Sequence, residues 1–527
     1  MSVICRRLGC EYFEAFTKGA PEKIISLSKP ETVPTDILNV LKEYTEKGYR
    51  VIGVATKTIT GVPFHRIPKL QREEIECDLE FLGFIVLENR LKPQTSSAIT
   101  TLKNAGMKIV MLTGDNIQTA VSVARECGII YPGHSVIDVI TIKPTKTDVA
   151  KVRYQDLGAV LSYSNLTDVE KFPERKYQLI LSGTAWSDIN RYFPQLIPKI
   201  VAKGVVFARM SGLQKQQLVE ELQNLGYYVG KSLRTMVNKP LIFTFIAAMC
   251  GDGANDCGAL KAANVGISLS EAESSVASPF TSQESNISCT IDVIKEGRAA
   301  LVTSFGVFKL MLCYSLTEFA SVIILYAIDT NLTSLQFLFI DICLILNFAS
   351  FFGKTEAYNK LEKGPPMTSL LSFLPLASII LFMLVVVVVQ IFAYYFIQTY
   401  DWFVPFVFNP DNTIYYSCYE NYAVYCVSMF QYIIMAVIFS KGKPYRKAIY
   451  TNYIFLFTIM LMIAVCSYIT LEPAHWIVEA LELKMPPLYD GRIFVLIIAL
   501  VNFVICMFME EIVVDYFLRK FVRPRFQ

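Results

Sequence analysis

Six apolar runs, each close to the length of a bilayer crossing, set the first limit on what this chain can fold into. They are Val302–Ala327, Leu335–Phe352, Leu371–Ile397, Tyr422–Phe439, Tyr453–Leu471 and Arg492–Val514. A helix needs about 20 mostly apolar residues to cross a bilayer, and lipid leaves its backbone no other hydrogen-bond partner. Each run is therefore expected to be a membrane-spanning helix. The chain is 53% hydrophobic over 527 residues, and the excess lies almost entirely after residue 300. Lys354, Lys360 and Lys363 follow the second run. Lys441, Lys443, Arg446 and Lys447 follow the fourth, and Arg519, Lys520, Arg523 and Arg525 follow the sixth. The other loops carry mainly acids, so the positive-inside rule places both ends in the cytosol. The opening MSVICRRLGC has no apolar core and does not read as a signal peptide, so insertion is expected to use the internal spans.

The first 300 residues follow another rhythm. Ser2–Cys5, Glu11–Phe16, Arg50–Ala55 and Asp78–Glu88 read as strands, with a helix over Thr35–Lys47. A helix over Thr95–Ala105, a buried strand over Lys108–Leu112 and a helix over Ile117–Cys127 come next, and strands recur at Tyr177–Ser182 and Gly204–Ala208. Strand alternating with helix argues for a parallel sheet. Residues 131–178 are expected as a surface insertion. Within it Asn165-Leu-Thr matches the glycosylation pattern, which would stay unmodified in the cytosol. A net charge of +3 gives no reason to expect nucleic acid as a partner. Thirteen cysteines without a CxxC pair, and three histidines, suggest neither a zinc site nor a disulfide framework.

Two stretches carry chemistry. Cys250–Asp256, CGDGAND, places Asp252 and Asp256 within one turn after an apolar run, with Gly251 and Gly253 allowing a tight bend. Closely spaced carboxylates on a loop at the end of a buried strand suit Mg²⁺ and phosphate. An ordinary strand-to-helix turn would also use these residue types. Lys108–Asn116, KIVMLTGDN, is again an apolar strand, ending in Thr113, Gly114 and Asp115 before a helix. A hydroxyl beside a helix N-terminus makes a phosphate seat, and Asp115 and Asn116 are helix-capping types.

TGDN followed by GDGAND resembles the P-type ATPases, whose phosphorylation domain belongs to the haloacid dehalogenase superfamily. Lys18–Glu22, KGAPE, resembles the family's nucleotide-binding signature. The wording FTKGAPE, FLGFIVLENRLK, FARMSGLQK, GDGANDCGALKAANVGISLSEAE and LQFLFID is most similar to the type V pumps of branch B, which export polyamines from late endosomes and lysosomes. The resemblance covers nearly the whole chain. It implies a partial α+β nucleotide-binding domain over 1–88 and a partial α/β haloacid-dehalogenase-like phosphorylation domain over 89–300. A six-helix transmembrane bundle over 301–527 follows, with a short cytosolic tail.

By the same resemblance ATP and Mg²⁺ are the expected cofactors. Lys18 and Gly19, on a loop after a strand, would line the adenosine pocket, although Lys18 alone also reads as a solvated lysine. Arg90, Lys92, Gly114 and Asp115 would face the ATP phosphates, with ordinary loop charges as the other reading of Arg90 and Lys92. Thr113 and Lys215 would act on the phosphoryl group, and Asp252 and Asp256 would hold the metal.

The chain departs from the family in three places. Gly212 and Leu213 stand where Pro and Asp are usual. Lys231–Ala248 interrupts the strand leading to Asp252, as an atypical insert. Its apolar end, Leu241–Met249, is expected to replace Tyr227–Val229 in the sheet and to expel Gly230–Pro240 as a loop. The phosphorylated aspartate of DKTGT, and the TGES of the actuator domain, occur nowhere in the chain.

Ionisable groups inside the spans are few, and each is a functional candidate by default. Asp341, early in the second span, occupies the substrate-pocket position of the polyamine pumps by resemblance. Glu318, in the first span near Tyr314 and Thr317, stands where that pocket often has an amide. A helix–helix hydrogen bond is the other reading of both. The chain is thus expected to be the C-terminal part of an ATP-driven cation pump, with a polyamine as cargo, in an endosomal or lysosomal membrane, and inactive alone. Two alternatives remain open. One is a non-catalytic isoform that regulates a full-length pump. The other is a membrane-anchored phosphatase, for which no DxD nucleophile is found.

Overall fold

A computed structural model describes residues 1–6, 9, 11–46, 49–88, 91–144, 149–158, 162–163, 176–236, 248–270, 275–367, 369–407 and 417–518. They form two compact units, Met1–Ile291 and Asp292–Gln527.

The first unit opens with an antiparallel sheet of four strands in the order β1 (Ser2–Cys5), β2 (Phe13–Gly19), β3 (Arg50–Ile59) and β4 (Glu80–Leu87). β2 alternates, burying Phe13, Ala15 and Thr17 on one face, as a one-sided sheet requires. The helix Pro21–Leu27 lies against that face through Ile24. Gly19 pairs with Gly53 across the strands. A Cβ on Gly53 would come within 3.0 Å of Ile24 Cβ and 3.2 Å of Pro21 Cα. Part of the glycine requirement in KGAPE and its partner strand is thus packing of the helix that follows.

A second sheet has the order β5 (Met111–Leu112), β10 (Gly204–Ala208), β9 (Tyr177–Ser182), β6 (Ser135–Ile142), β7 (Lys151–Asp156) and β8 (Ser162–Tyr163). Its first four strands are parallel. β10 is buried along its whole length, as a continuous apolar run in a covered parallel sheet should be. Trp186, fully buried, packs edge-on against Phe207 at 5.9 Å. Lys108 bonds the carbonyls of Val201 and Ala202 at the end of the helix Ile197–Lys203, where a positive charge is favoured. Burial, aided by Lys203, pushes Lys108 down to about 8.

Several expectations need correction. The strand read over Lys108–Leu112 is limited to Met111–Leu112. The stretch 131–178 is more than a surface insertion, since β6 pairs with β9 and buries Val136, Ile137 and Val139. Its Ser-Val-Ile-Asp-Val-Ile-Thr-Ile pattern is strand-like, and the polar residues around it hid this. Asn165 lies outside the described residues. Residues 227–236 continue the helix Gly212–Met236, so the part of the expected loop that is described is helical. Nothing in Tyr-Tyr-Val-Gly stops a helix already running. Residues 237–247, most of the expected replacement strand, lie outside the described residues, and the strand seen is β11, Ala248–Gly251.

β11 does not join the second sheet. It forms a third, parallel sheet with β12 (Val265–Ser268) and β13 (Phe280–Thr281). Among the described residues β5 and β11 are therefore both edge strands, yet Leu112 of β5 packs into the same cluster as Met249 of β11.

Among the described residues six helices are long and apolar enough to cross a membrane: Ser288–Tyr326, Ser334–Phe352, Phe373–Ile397, Tyr419–Phe439, Tyr453–Leu471 and Tyr489–Val514. The first begins at Ser288, within the last residues of the first unit. The fourth is buried almost throughout and forms the centre of the bundle. Side-chain amides tie the helices together, as in membrane packing generally. Gln390 donates to Ser321 at 2.9 Å and to Gln431 at 2.8 Å, joining the third span to the first and fourth. The architecture is an antiparallel α+β region, then an α/β region built on a parallel sheet, followed by a six-helix apolar bundle.

Candidate functional site

The phosphate-type loop Thr113–Asp115 is held by its neighbours rather than by its own cap. Thr113 N–H donates to Phe207 O at 3.0 Å, and Met210 N–H donates to Thr113 O at 3.1 Å. Asp115 N–H bonds Thr113 Oγ1 at 3.1 Å, and Thr113 Oγ1 lies 3.2 Å from Asp115 Oδ2. Asn116 takes the N-cap position of the helix Ile117–Glu126 but makes no side-chain cap bond, contrary to expectation.

A cavity of about 350 Å³ opens beside this loop and reaches the first sheet. Lys18, Gly19, Gly114 and Asp115 all line it. Four residues expected to face a nucleotide, from two distant motifs, thus share one cavity. Arg90, the fifth, lies outside the described residues. Lys92 instead bonds Ser285, with Nζ 3.0 Å from its Oγ. Lys18 and Gly19 end strand β2 and do not form a loop after it.

Arg50 and Arg209 also line the cavity, and the sequence reading passed over both. Arg50 lies 4.0 Å from Asp115, and Arg209 lies 3.4 Å from Glu22 of KGAPE. Arg209 N–H bonds Asp115 O at 3.0 Å, and its φ is +53°. A left-handed backbone at a non-glycine residue is uncommon and is often retained at functional sites. Arg209 therefore joins the two motifs through its backbone at one end and its guanidinium at the other. Residues 22, 50, 115 and 209 have no sequence spacing that would have revealed this.

Lys215 sits in the first turn of the helix Gly212–Met236 and meets Asp256 at 2.6 Å, both groups buried. The helix start is built by Ser211 and Gln214. Ser211 N–H donates to Gln214 Oε1 at 2.8 Å, and Gln214 N–H lies 3.4 Å from Ser211 Oγ. This reciprocal cap replaces the usual Pro-Asp. A Cβ on Gly212 would lie 2.8 Å from Asn255 O, so this loop needs glycine where the family has proline. Asp256 folds back over Gly251, where a Cβ would meet its Oδ2 at 2.9 Å. Asp252 is exposed.

The two aspartates differ in availability. Asp256 gives one oxygen to Lys215, while Asp252 is open to a ligand. Among the described residues no three acidic, cysteine or histidine side chains form a metal cluster. A metal here would thus need phosphate and water oxygens as well, which is usual for Mg²⁺. Burial pushes the Cys250 thiol up to about 11. The raised value disfavours the thiolate, the form in which a cysteine acts as a nucleophile.

In the second unit the first two spans bring Tyr314, Glu318 and Asp341 together. The Tyr314 hydroxyl donates to Asp341 Oδ1. Glu318 has Asp341 and Tyr314 as its electrostatic neighbours. Asp341 lies in a π-helical stretch, Phe339–Leu346, a geometry that recurs at functional positions. Among the described residues no lysine, arginine or histidine pairs with either carboxylate.

The sequence comparisons agree with this geometry. The family model of the P-type ATPase cytoplasmic domain N matches residues 1–94, and that of the haloacid dehalogenase-like hydrolases matches residues 55–161. The chain is 39% identical to the polyamine-transporting ATPase 13A3 of Mus musculus, over 97% of this chain and 43% of that protein. It is 43% identical to the polyamine-transporting ATPase 13A2 of Homo sapiens, over 90% of this chain and 39% of that protein. It is 37% identical to the probable cation-transporting ATPase 13A4 of Mus musculus, over 98% of this chain and 44% of that protein. The chain thus spans less than half the length of these relatives. With both motifs on one cavity of the first unit and six apolar helices among the described residues of the second, the chain belongs to the P-type ATPase family, with 13A ATPases among its relatives.

Proposed function

We propose that this chain forms the nucleotide-binding and cation-carrying part of an ATP-driven pump that moves a polyamine, or a related organic cation, out of endosomes or lysosomes. The observation that carries this reading is the single cavity shared by Lys18, Gly19, Gly114 and Asp115. In it, Lys18 and Gly19 hold the nucleoside end of ATP, and the loop at Gly114 and Asp115 receives the phosphates, with Arg50 and Arg209 lending positive charge. Thr113 and Lys215 steady the transferred phosphoryl group. Asp252 and Asp256 would hold Mg²⁺, which draws charge from the phosphate oxygens when bound. Residues 1–88 act as the nucleotide-binding part, 89–300 as the phosphorylation part and 301–527 as the membrane part. The basic loops favour cytosolic placement of both ends.

Asp341 and Glu318 hold the transported cation. Two carboxylates without a partner cation are costly in a membrane unless a substrate supplies the charge. Asp341 is exposed on the bundle surface, where a cation can reach it.

The chain by itself neither accepts phosphate nor transports. DKTG is absent, and covalent transfer needs that aspartate. The unpaired edges of β5 and β11, which share one apolar cluster, leave room for another parallel strand beside Thr113 and Asp252. That strand would bring the acceptor.

Membranes containing only this chain, given γ-labelled ATP and Mg²⁺, should show no acid-stable label at its mass. A hydroxylamine-sensitive label there would place an acceptor aspartate within the chain and overturn the half-pump reading.

A further inference from the structure

Tyr432 lies in the fourth span, Tyr419–Phe439, and is fully buried. Among the described residues its hydroxyl has no hydrogen-bond partner. Its ring centroid is 6.0 Å from that of Tyr314, and its ionisable neighbours are Glu318, Tyr314 and Asp341. A buried phenol usually finds a partner, and an unmade hydrogen bond in the interior costs more than having no polar group at all. Phenylalanine would fill nearly the same space without that cost. A hydroxyl kept under these conditions points to a partner that comes and goes.

The surroundings define what that partner is. Two carboxylates stand nearby without a cation among the described residues. A primary ammonium group carries three N–H donors. Glu318 and Asp341 can take two of them, and the third needs an acceptor that adds no further negative charge. The Tyr432 oxygen is such an acceptor, and the rings of Tyr314 and Tyr432 offer π faces to the same cation. A small metal ion would instead demand a close shell of several oxygens, which one phenol does not supply.

We propose that Tyr432 is a specificity-determining residue of the cation site, its hydroxyl accepting the third hydrogen bond of a substrate ammonium group. This rests on the amine-binding reading of Glu318 and Asp341. It adds a wall from the fourth span to a site that the sequence placed on the first two spans alone.

The test is thermal unfolding of the 527-residue chain in lipid nanodiscs, with and without spermine as the probe. Tyr432→Phe should unfold at the same temperature as the unmodified chain, or higher, when spermine is absent. Its spermine-induced shift should fall below half. The spermine concentration for half-maximal shift should rise about fivefold to tenfold, the size of one hydrogen bond. Asp341→Asn should abolish the shift. A lower unfolding temperature of Tyr432→Phe without spermine would mark the hydroxyl as structural and overturn the inference. An unchanged spermine response in Tyr432→Phe, with the response lost in Asp341→Asn, would overturn the inference and leave the amine site standing. An unmodified chain that does not respond to spermine would overturn both.

Discussion

Glu510 in the sixth span meets Lys441 at 2.6 Å, Lys309 at 3.7 Å and the Ser378 hydroxyl at 2.7 Å, whereas among the described residues Glu318 and Asp341 share the Tyr314 hydroxyl and meet no cation. Lys309 also donates to Ser378 at 2.8 Å. Lys309 and Glu318 belong to one helix, nine residues apart, which puts them on opposite faces. The Lys309 face turns into the bundle and is closed by charge. The Glu318 face meets the second span and is left open by charge. A carboxylate surrounded by its own cations is a built part of the fold. A carboxylate pair without one is a place for a cation from outside. The first unit shows the same contrast, with Asp256 held by Lys215 and Asp138 half-buried with no cation bonded to it among the described residues.

The sharpest way to break this contrast is Glu510→Gln. It leaves Lys309 buried beside an amide, and removing one partner of a buried pair costs about 3–5 kcal/mol. Thermal unfolding of the chain in nanodiscs should show that loss. The double change Lys309→Met with Glu510→Leu should restore most of it. Equal losses in the single and double variants would mean that packing, not charge, holds these helices.

Asp138 tests the uncompensated case in the first unit. Burial raises its carboxyl from 3.8 to about 6, opposed by a backbone hydrogen bond at Val139. The folded state therefore binds more protons than the unfolded state between those values. Stability contributed by the protonated acid is complete below the unfolded value and is lost as pH rises through about 6. Asp138→Asn should thus stabilise the unit at pH 7.5, by up to about 3 kcal/mol before solvent screening, and leave it unchanged near pH 3.5. A flat pH dependence of the difference between the two proteins would show that Asp138 is well compensated.

The smallest effect is expected for Glu318→Gln. It removes one of two like charges and puts an amide where the family often has one. The membrane unit should gain on the order of 1 kcal/mol without substrate. Spermine should bind more weakly. A loss of stability would mean that Glu318 serves the fold as Glu510 does.

Much of this was legible along the chain. The six spans, the strands of the first sheet and the order of KGAPE, TGDN and GDGAND are local patterns. Apolar run length, alternation and tight Gly-Asp turns express themselves over a few residues. β6 was missed because its strand pattern sits among Pro, Ser and Thr, and because a polar stretch can still lend one strand to a sheet. The course of the chain after Gly226 was misread for the opposite reason. A helix that has begun continues at little cost, so Tyr227–Val229 followed the turns before them rather than their strand propensity.

The one-dimensional pattern determined the element types, the two-part division and the residue types available for phosphate and cation chemistry. It could do so because hydrogen-bond satisfaction and apolar periodicity are settled within single elements. Only the tertiary structure decided who meets whom. It brought Arg209 between Glu22 and Asp115, folded Asp256 onto Lys215, and closed Glu510 with two lysines while leaving Glu318 and Asp341 without one. It also set Tyr432 against Tyr314 from a helix with no marked chemistry of its own. Charge pairing and burial depend on distances in space between residues far apart in the chain, and no local pattern encodes those distances.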